Sequence, residues 1–282
     1  MRRHTGMIVA TGLLTGAWAV TPVAAQDRQL GWSSSTELTY LTTGGNTDVG
    51  TFGLKSDTRR VWEATTLKLE LGGVRTIATQ YTFTATGTPG NFVIDREEET
   101  EVTAENYLAR ARVQRDLASR TFLYVGGSWE RNTFAGFRHR YAGVAGAGRR
   151  WFENAQGHLQ TDLGLTFTSQ DDVVDDPATS NSFVGLRLTA EYRRKVTENS
   201  EFGSDWAVDG NGKDTEDYRA DIVNSLAVSL SSRLAFKTSF TVQYDNLPSR
   251  REVPFAAPNT GSVLVPLEKT DRHLSVALVI KF

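Results

Sequence analysis

The chain has 282 residues, 31 Lys and Arg against 33 Asp and Glu for a net charge of −2, and no cysteine. The missing thiol excludes disulfides, thiolate metal sites, thiol catalysis and an acylated N-terminal cysteine. The basic residues are scattered, which argues against a nucleic-acid partner. Beyond residue 25 no segment approaches the ~18 apolar residues of a membrane helix.

The first residues read as an export signal. Arg2, Arg3 and His4 precede apolar runs at Met7–Ala10, Leu13-Leu14 and Ala17–Val20, and Val23-Ala24-Ala25 offers the small residues a signal peptidase reads. Cleavage is expected after Ala25, leaving residues 26–282 as a single domain. A membrane anchor is the alternative, but Thr11, Gly12, Thr15 and Gly16 break the apolar stretch.

From Leu30 onward the sequence alternates with period two, as half-buried strands do. The predicted strands are 30–41, 50–61, 65–78, 102–115, 121–132, 138–151, 157–168, 182–193, 201–209, 217–230, 233–245 and 270–282. The first carries Trp32 and Tyr40 near its ends. The seventh alternates Leu159, Thr161, Leu163, Leu165 and Phe167 with His158, Gln160, Asp162 and Thr166. The eleventh sets Leu234, Phe236, Phe240, Val242 and Tyr244 against Lys237, Ser239, Gln243 and Asp245. The last sets Leu274, Val276, Leu278, Ile280 and Phe282 against His273, Ser275 and Lys281. In the fifth, Phe122 and Tyr124 compete with Leu123, Val125 and Trp129 for the apolar side.

Most of these segments have the ~9–11 residues that a tilted strand needs to cross a bilayer. Their connections alternate between short ones, such as 61–65 and 230–233, and long ones at 79–101, 168–181 and 246–269. An all-β fold is expected: a transmembrane antiparallel barrel of about twelve strands with short periplasmic turns and longer extracellular loops. In this register Trp32, Trp62 and Trp151 fall at periplasmic strand ends, and Trp129 and Trp206 towards the outer side, as interfacial girdles would. A barrel in lipid has no free edge, so the last strand must pair with the first. A soluble periplasmic sandwich is the alternative fold.

Several local features carry a resemblance. They are Gly44-Gly45-Asn46-Thr47-Asp48, Phe52-Gly53-Leu54, Arg60-Val61-Trp62, Leu69-Glu70-Leu71-Gly72-Gly73-Val74-Arg75, Glu105-Asn106-Tyr107, Arg115-Asp116-Leu117, and Tyr141 with the glycines after it. Together they resemble the YdiY-like family of salt-induced outer-membrane proteins, domain of unknown function 481, over essentially the whole chain past the signal. The resemblance implies an outer-membrane barrel and an association with salt. It transfers no catalytic residue. The ending Val279-Ile280-Lys281-Phe282 resembles the C-terminal signature read by the outer-membrane assembly machinery.

Candidate chemistry follows from which face each polar residue shares. Lys55, Asp57, Lys68, Glu70, Arg110, Arg112, Asp162, Arg187, Glu191, Asp221, Lys237 and Asp245 all alternate against apolar stripes and are expected to line the lumen. A charge facing lipid at the midplane would cost ~2–4 kcal/mol. Lining charges could tune ion passage through a water-filled path, or pair and seal it. The favoured function is a passive channel for small solutes or ions. One alternative is a closed barrel with a surface role, whose acidic loops (Asp95–Glu101, and Asp171, Asp172, Asp175 and Asp176) contact lipopolysaccharide through hard cations. The other is a lipid hydrolase using His273 and Ser275 on one strand. Against it, Leu274 and Val276 claim the lipid side, turning both groups inward. No cofactor and no metal site is expected, since His139 and His158 lack ligand spacing. The basic residues at short turns, Arg59, Arg60, Arg115, Arg120, Arg149, Arg150, Arg193, Arg194, Lys195 and Arg233, are expected to meet lipid headgroups.

Overall fold

The computed structural model of the chain describes residues 30–43, 47–88, 91–175, 181–255 and 261–282. The expected signal peptide, the Gly44-Gly45-Asn46 turn and Asp176 lie outside the described residues. Twelve of the described strands close into an antiparallel barrel. They are β1 (Gly31–Thr43), β2 (Thr47–Val61), β3 (Thr65–Thr88), β4 (Asn91–Asp116), β5 (Thr121–Asn132), β6 (Phe137–Asn154), β7 (Gly157–Asp172), β8 (Ser182–Lys195), β9 (Ser200–Asn211), β10 (Tyr218–Ser229), β11 (Leu234–Asp245) and, after a two-stranded ribbon of β12 (Arg250–Pro254) and β13 (Ser262–Pro266), β14 (Thr270–Lys281). Around the ring the order is β1-β14-β11-β10-β9-β8-β7-β6-β5-β4-β3-β2. Each neighbour in sequence is a neighbour in space, and the ribbon stands apart from the wall.

Alternation turns the barrel inside out relative to a soluble protein. In β7, Leu163, Leu165 and Phe167 are 54–64% exposed, while Asp162 and Thr166 are buried. Soluble domains place such residues the other way round. In β5 the competition resolves in favour of Leu123 and Val125 outside, with Phe122 and Tyr124 inside. The reason is room: a Cβ on Gly148 would lie 2.2 Å from the Phe122 ring, and one on Gly164 2.5 Å from the Tyr124 hydroxyl. Only glycine at those positions of β6 and β7 leaves space for two inward rings.

The turns at one end are short and made by the residues expected of turns. Asn154 Oδ1 accepts from the Gln156 and Gly157 amides, and Ser231 Oγ from the Arg233 and Leu234 amides. At the other end two connections differ from the loops the sequence suggested. Over 79–101 the strands β3 and β4 run on as a protruding hairpin, paired as far as Thr88 and Asn91. Its β-branched and aromatic run, Tyr81-Thr82-Phe83-Thr84, favours strand. The acidic run is therefore strand, not loop. Asp95, Glu97, Glu99 and Glu101 pair with Thr84, Thr82, Gln80 and Ala78, so all four share one face.

The second is the 246–269 connection. It carries the ribbon, and its base crosses the barrel mouth. Ser249 Oγ lies 3.2 Å from Asp172 Oδ1 of β7. Gly136, in the β5–β6 turn with φ +88°, would bring a Cβ within 2.4 Å of Ser249 and 3.0 Å of Leu267. β5 stands opposite β11 in the ring, so this strap spans the mouth from one side to the other.

One aromatic is misplaced by the sequence reading. Trp206 sits at the middle of β9, not towards its end, and its indole donates to Ser204 Oγ. Ser204 in turn donates to Asn224, so a small polar group occupies the outward face there.

Closure joins β14 to β1. The register runs only from Ser35–Lys281 to Leu38–Leu278, extended by a reciprocal backbone pair between Ser34 and Phe282. By contrast β1 and β2 pair from Gly31–Val61 to Thr43–Val49. The seam is the shortest ladder of the wall.

Candidate functional site: the charged interior

The barrel interior is built of ion pairs that join neighbouring strands and, in places, cross the lumen. Lys55 on β2 lies 3.4 Å from Asp57 and 3.3 Å from Glu70 of β3. Lys237 on β11 donates to Glu37 of β1 at 2.7 Å. That pair passes over β14, which stands between them in the ring with Ala277 and Val279 inward. Lys55, Glu70 and Lys237 are only 1–2% exposed.

Arg110 on β4 reaches Glu70 and Glu130 of β5. Arg112, two residues on, bonds Asp162 of β7 at 2.8 Å, with its guanidinium 3.7 Å from the centre of the Tyr124 ring. This contact spans two strands because the inward ring of Tyr124 supports the arginine and the glycines beneath keep the path low.

Glu191 on β8 gathers four partners. Lys68 of β3 comes to 3.5 Å, His158 Nε2 to 3.1 Å, Gln160 Nε2 to 2.9 Å and Arg193 to 3.8 Å. β3 and β8 lie nearly opposite in the ring, so Lys68–Glu191 is a chord across the lumen. Arg193 also forms a two-pronged bond with Asp205, both arms at 2.8 Å. Nearer the strap, Arg187 grips Asp209 with arms of 2.7 and 3.0 Å, Arg219 bonds Asp245 at 3.0 Å, and Gln243 donates to Asp221 at 2.9 Å. Such bidentate geometry fixes both direction and distance.

Three cavities follow one another along this interior. The one under the strap has a volume of about 470 Å³, the middle one about 160 Å³ and the one by the short turns about 60 Å³. Arg110, Arg187 and Asp221 border the first two; Lys68, Gln160 and Glu191 border the last two.

The twelve residues expected from alternation to line the lumen divide among these pairs and cavities. Missed were Glu37, Glu130, Arg140, Asp205, Asp209 and Arg219. Each lies at the right parity; Glu130, Arg140, Asp209 and Arg219 sit near the ends of predicted strands, where facing is hardest to assign, whereas Glu37 and Asp205 lie well inside theirs. Arg193 corrects the basic rim: it is buried against Asp205, and Arg150 likewise turns inward to bond Asp116 at 2.7 Å. Neither is placed for headgroups.

His273 and Ser275 sit side by side on β14, across from Thr241 and Ser239. Among the described residues no hydrogen bond ties His273 to Ser275, Asp271 or Asp245. Among the described residues, too, no group of three or more His, Asp or Glu side chains is arranged to hold a metal ion.

A family model described as "Protein of unknown function, DUF481" matches residues 36–282. The chain is 24% identical over 239 residues to "Uncharacterized protein YdiY" of Escherichia coli (strain K12), covering 85% of this chain and 79% of that one. Among solved structures, it is similar to a bacterial polysaccharide outer membrane secretin (TM-score 0.41, 8% identity, 91% of this chain and 99% of that one). It is also similar to the translocator domain of the autotransporter NalP from Neisseria meningitidis (TM-score 0.40, 12% identity, 90% and 89%). A third is an anion-selective porin from Comamonas acidovorans (TM-score 0.38, 10% identity, 90% and 99%).

Proposed function

The chain belongs to the DUF481 family, and we propose that it is a narrow passive channel of the outer membrane for ions and small hydrophilic solutes. The membrane location is supported by the outward stripes. Leucines and phenylalanines lie exposed along strand after strand, a surface that water would not tolerate and lipid would. Every barrel strand has 12 residues or more, against the ~9–11 a tilted strand needs.

The observation that carries the channel reading is the run of three cavities with shared walls. On this reading Arg110, Arg187 and Asp221, then Lys68 and Glu191, are the side chains that a passing solute must displace. Narrowing from about 470 to about 60 Å³ limits passage to small solutes. Charges of both signs make the lining hospitable to water. Purified protein in a planar bilayer should give small, discrete conductance steps in potassium chloride; no steps at any voltage would overturn the proposal. The salt association is part of it: cells lacking the protein should differ from the parent in growth after a shift to high salt.

A closed barrel is the second reading, favoured by the near-complete burial of Lys55, Glu70 and Lys237. On that reading the acidic face of the β3–β4 hairpin meets cation-bridged lipopolysaccharide, and the barrel is silent in the bilayer. Neither reading gives His273 or Ser275 a chemical step. Ser275→Ala should leave any lipid turnover by the purified protein unchanged.

A further inference from the structure

We propose that the cavity under the strap is a binding site for small zwitterionic solutes, carrying one carboxylate and one ammonium group as a free amino acid does. The inference rests on the channel reading, because it names what this first chamber selects. Its walls are segregated by charge. Arg110, Arg140 and Arg187 come from β4, β6 and β8, which lie together on one side of the ring. Asp209, Asp221, Asp245 and Asp271 come from β9, β10, β11 and β14, which form the other side. Within these walls Glu130 is matched by Arg110, and Arg219 by Asp217 and Asp245, while the connection above them adds Arg251, Glu268 and Lys269, charges of both signs. The charges carried by the strands, Arg187 and Asp209 being paired at the boundary, therefore set a field across the chamber.

Most of these groups are satisfied by one another, but each wall keeps unused capacity. Arg140 spends Nε on Gln170 at 2.7 Å and stacks 3.9 Å over Phe137, and its nearest carboxylate contact is a loose 4.0 Å to Glu130. Its terminal nitrogens remain suited to a bidentate carboxylate. Opposite, Asp271 makes no hydrogen bond or ion pair among the described residues, and Asp221 receives a single one from Gln243. Both can accept from an ammonium. An anion alone would gain at Arg140 and lose at the aspartates; a cation alone would do the reverse. Only a dipole gains at both walls. About 470 Å³ lies within the usual range of ~300–1,000 Å³ for small-molecule sites, and the strap shields the charges from bulk water, which strengthens them.

The test is calorimetric titration of the folded, detergent-solubilised protein with 4-aminobutyrate, butyrate and butylammonium, alongside bilayer recordings in potassium chloride. The zwitterion should bind at least about tenfold more tightly than either single-charge analogue, a difference of about 1.4 kcal/mol. Arg140→Gln and Asp271→Asn should each remove that preference. Asp271 holds no partner among the described residues, so its variant should fold, as heat-modifiable migration would verify. Equal affinity for all three solutes, or a preference that survives both substitutions, overturns the inference. Conductance steps without zwitterion preference would do so while leaving the channel standing. Zwitterion binding without steps would keep the site and overturn the channel.

Discussion

Lys237 offers the sharpest test of how the barrel is held closed. Its ammonium, 2% exposed, meets Glu37 at 2.7 Å, and the pair clasps β11 to β1 over the top of β14. Beneath it the β1–β14 ladder runs only from Ser35 to Leu38 on the β1 side. Lys237→Met would leave the Glu37 carboxylate, 12% exposed, without its direct partner. Lys55, the next cation, is already engaged by Asp57 and Glu70. Removing one member of a buried pair costs about 3–5 kcal/mol, whereas replacing both by apolar groups of similar size is often neutral. The Lys237→Met variant should therefore lose about 3–5 kcal/mol, and Glu37→Leu/Lys237→Met should recover most of it. Urea titration in lipid vesicles, followed by tryptophan fluorescence and by heat-modifiable migration, measures both. A single variant within ~1 kcal/mol of the parent, or a double variant no better than the single, would refute the clasp, since pairs that touch should couple by ~0.5–3 kcal/mol.

Three further outcomes follow from the same interior. Lys68→Ala removes the chord to Glu191 but leaves that carboxylate with His158, Gln160 and Arg193; single-channel conductance should rise while the urea midpoint stays near that of the parent. Replacing Arg250–Pro266 by a short glycine-containing turn opens the mouth, so conductance should rise and its noise change, with no loss of barrel migration on gels. Gly148→Ala sets a methyl 2.2 Å from the Phe122 ring and should cost about 1–3 kcal/mol as an overpacked core does; adding Phe122→Leu should restore part of it, and failure to do so would place the clash elsewhere.

How much of this was legible beforehand depended on the kind of information each feature needs. Facing is a local property. Alternation against an apolar stripe is enough to put Lys55 with Asp57, or Asp162 opposite Leu163, because the period of a strand is fixed. Strand number was equally accessible, since each crossing leaves its own stripe. The hairpin over 79–101 was missed because its acidic run carries no apolar alternation, yet strand pairing there rests on backbone bonds and on β-formers such as Tyr81 and Phe83. The strap was out of reach for another reason. Nothing in Ser249 or Leu267 announces that Gly136, more than a hundred residues earlier, will be its seat.

Partnership is a global property, and it decides what the interior does. Glu191 meets Lys68 only because closure brings β3 opposite β8, and Glu37 meets Lys237 only because β14 is the strand between them. The same side chains then serve two ends: they neutralise one another so that the wall can hold charge, and they stand in the path a solute would take. Substituting such a residue disturbs stability and permeation together, so a conductance change at Lys237 or Arg193 would not by itself reveal a role in passage. Arg140 and Asp271 differ, because one is only loosely paired with a carboxylate and the other has no partner among the described residues. If the protein selects among solutes, those two positions are where selection can be altered while the barrel stays intact.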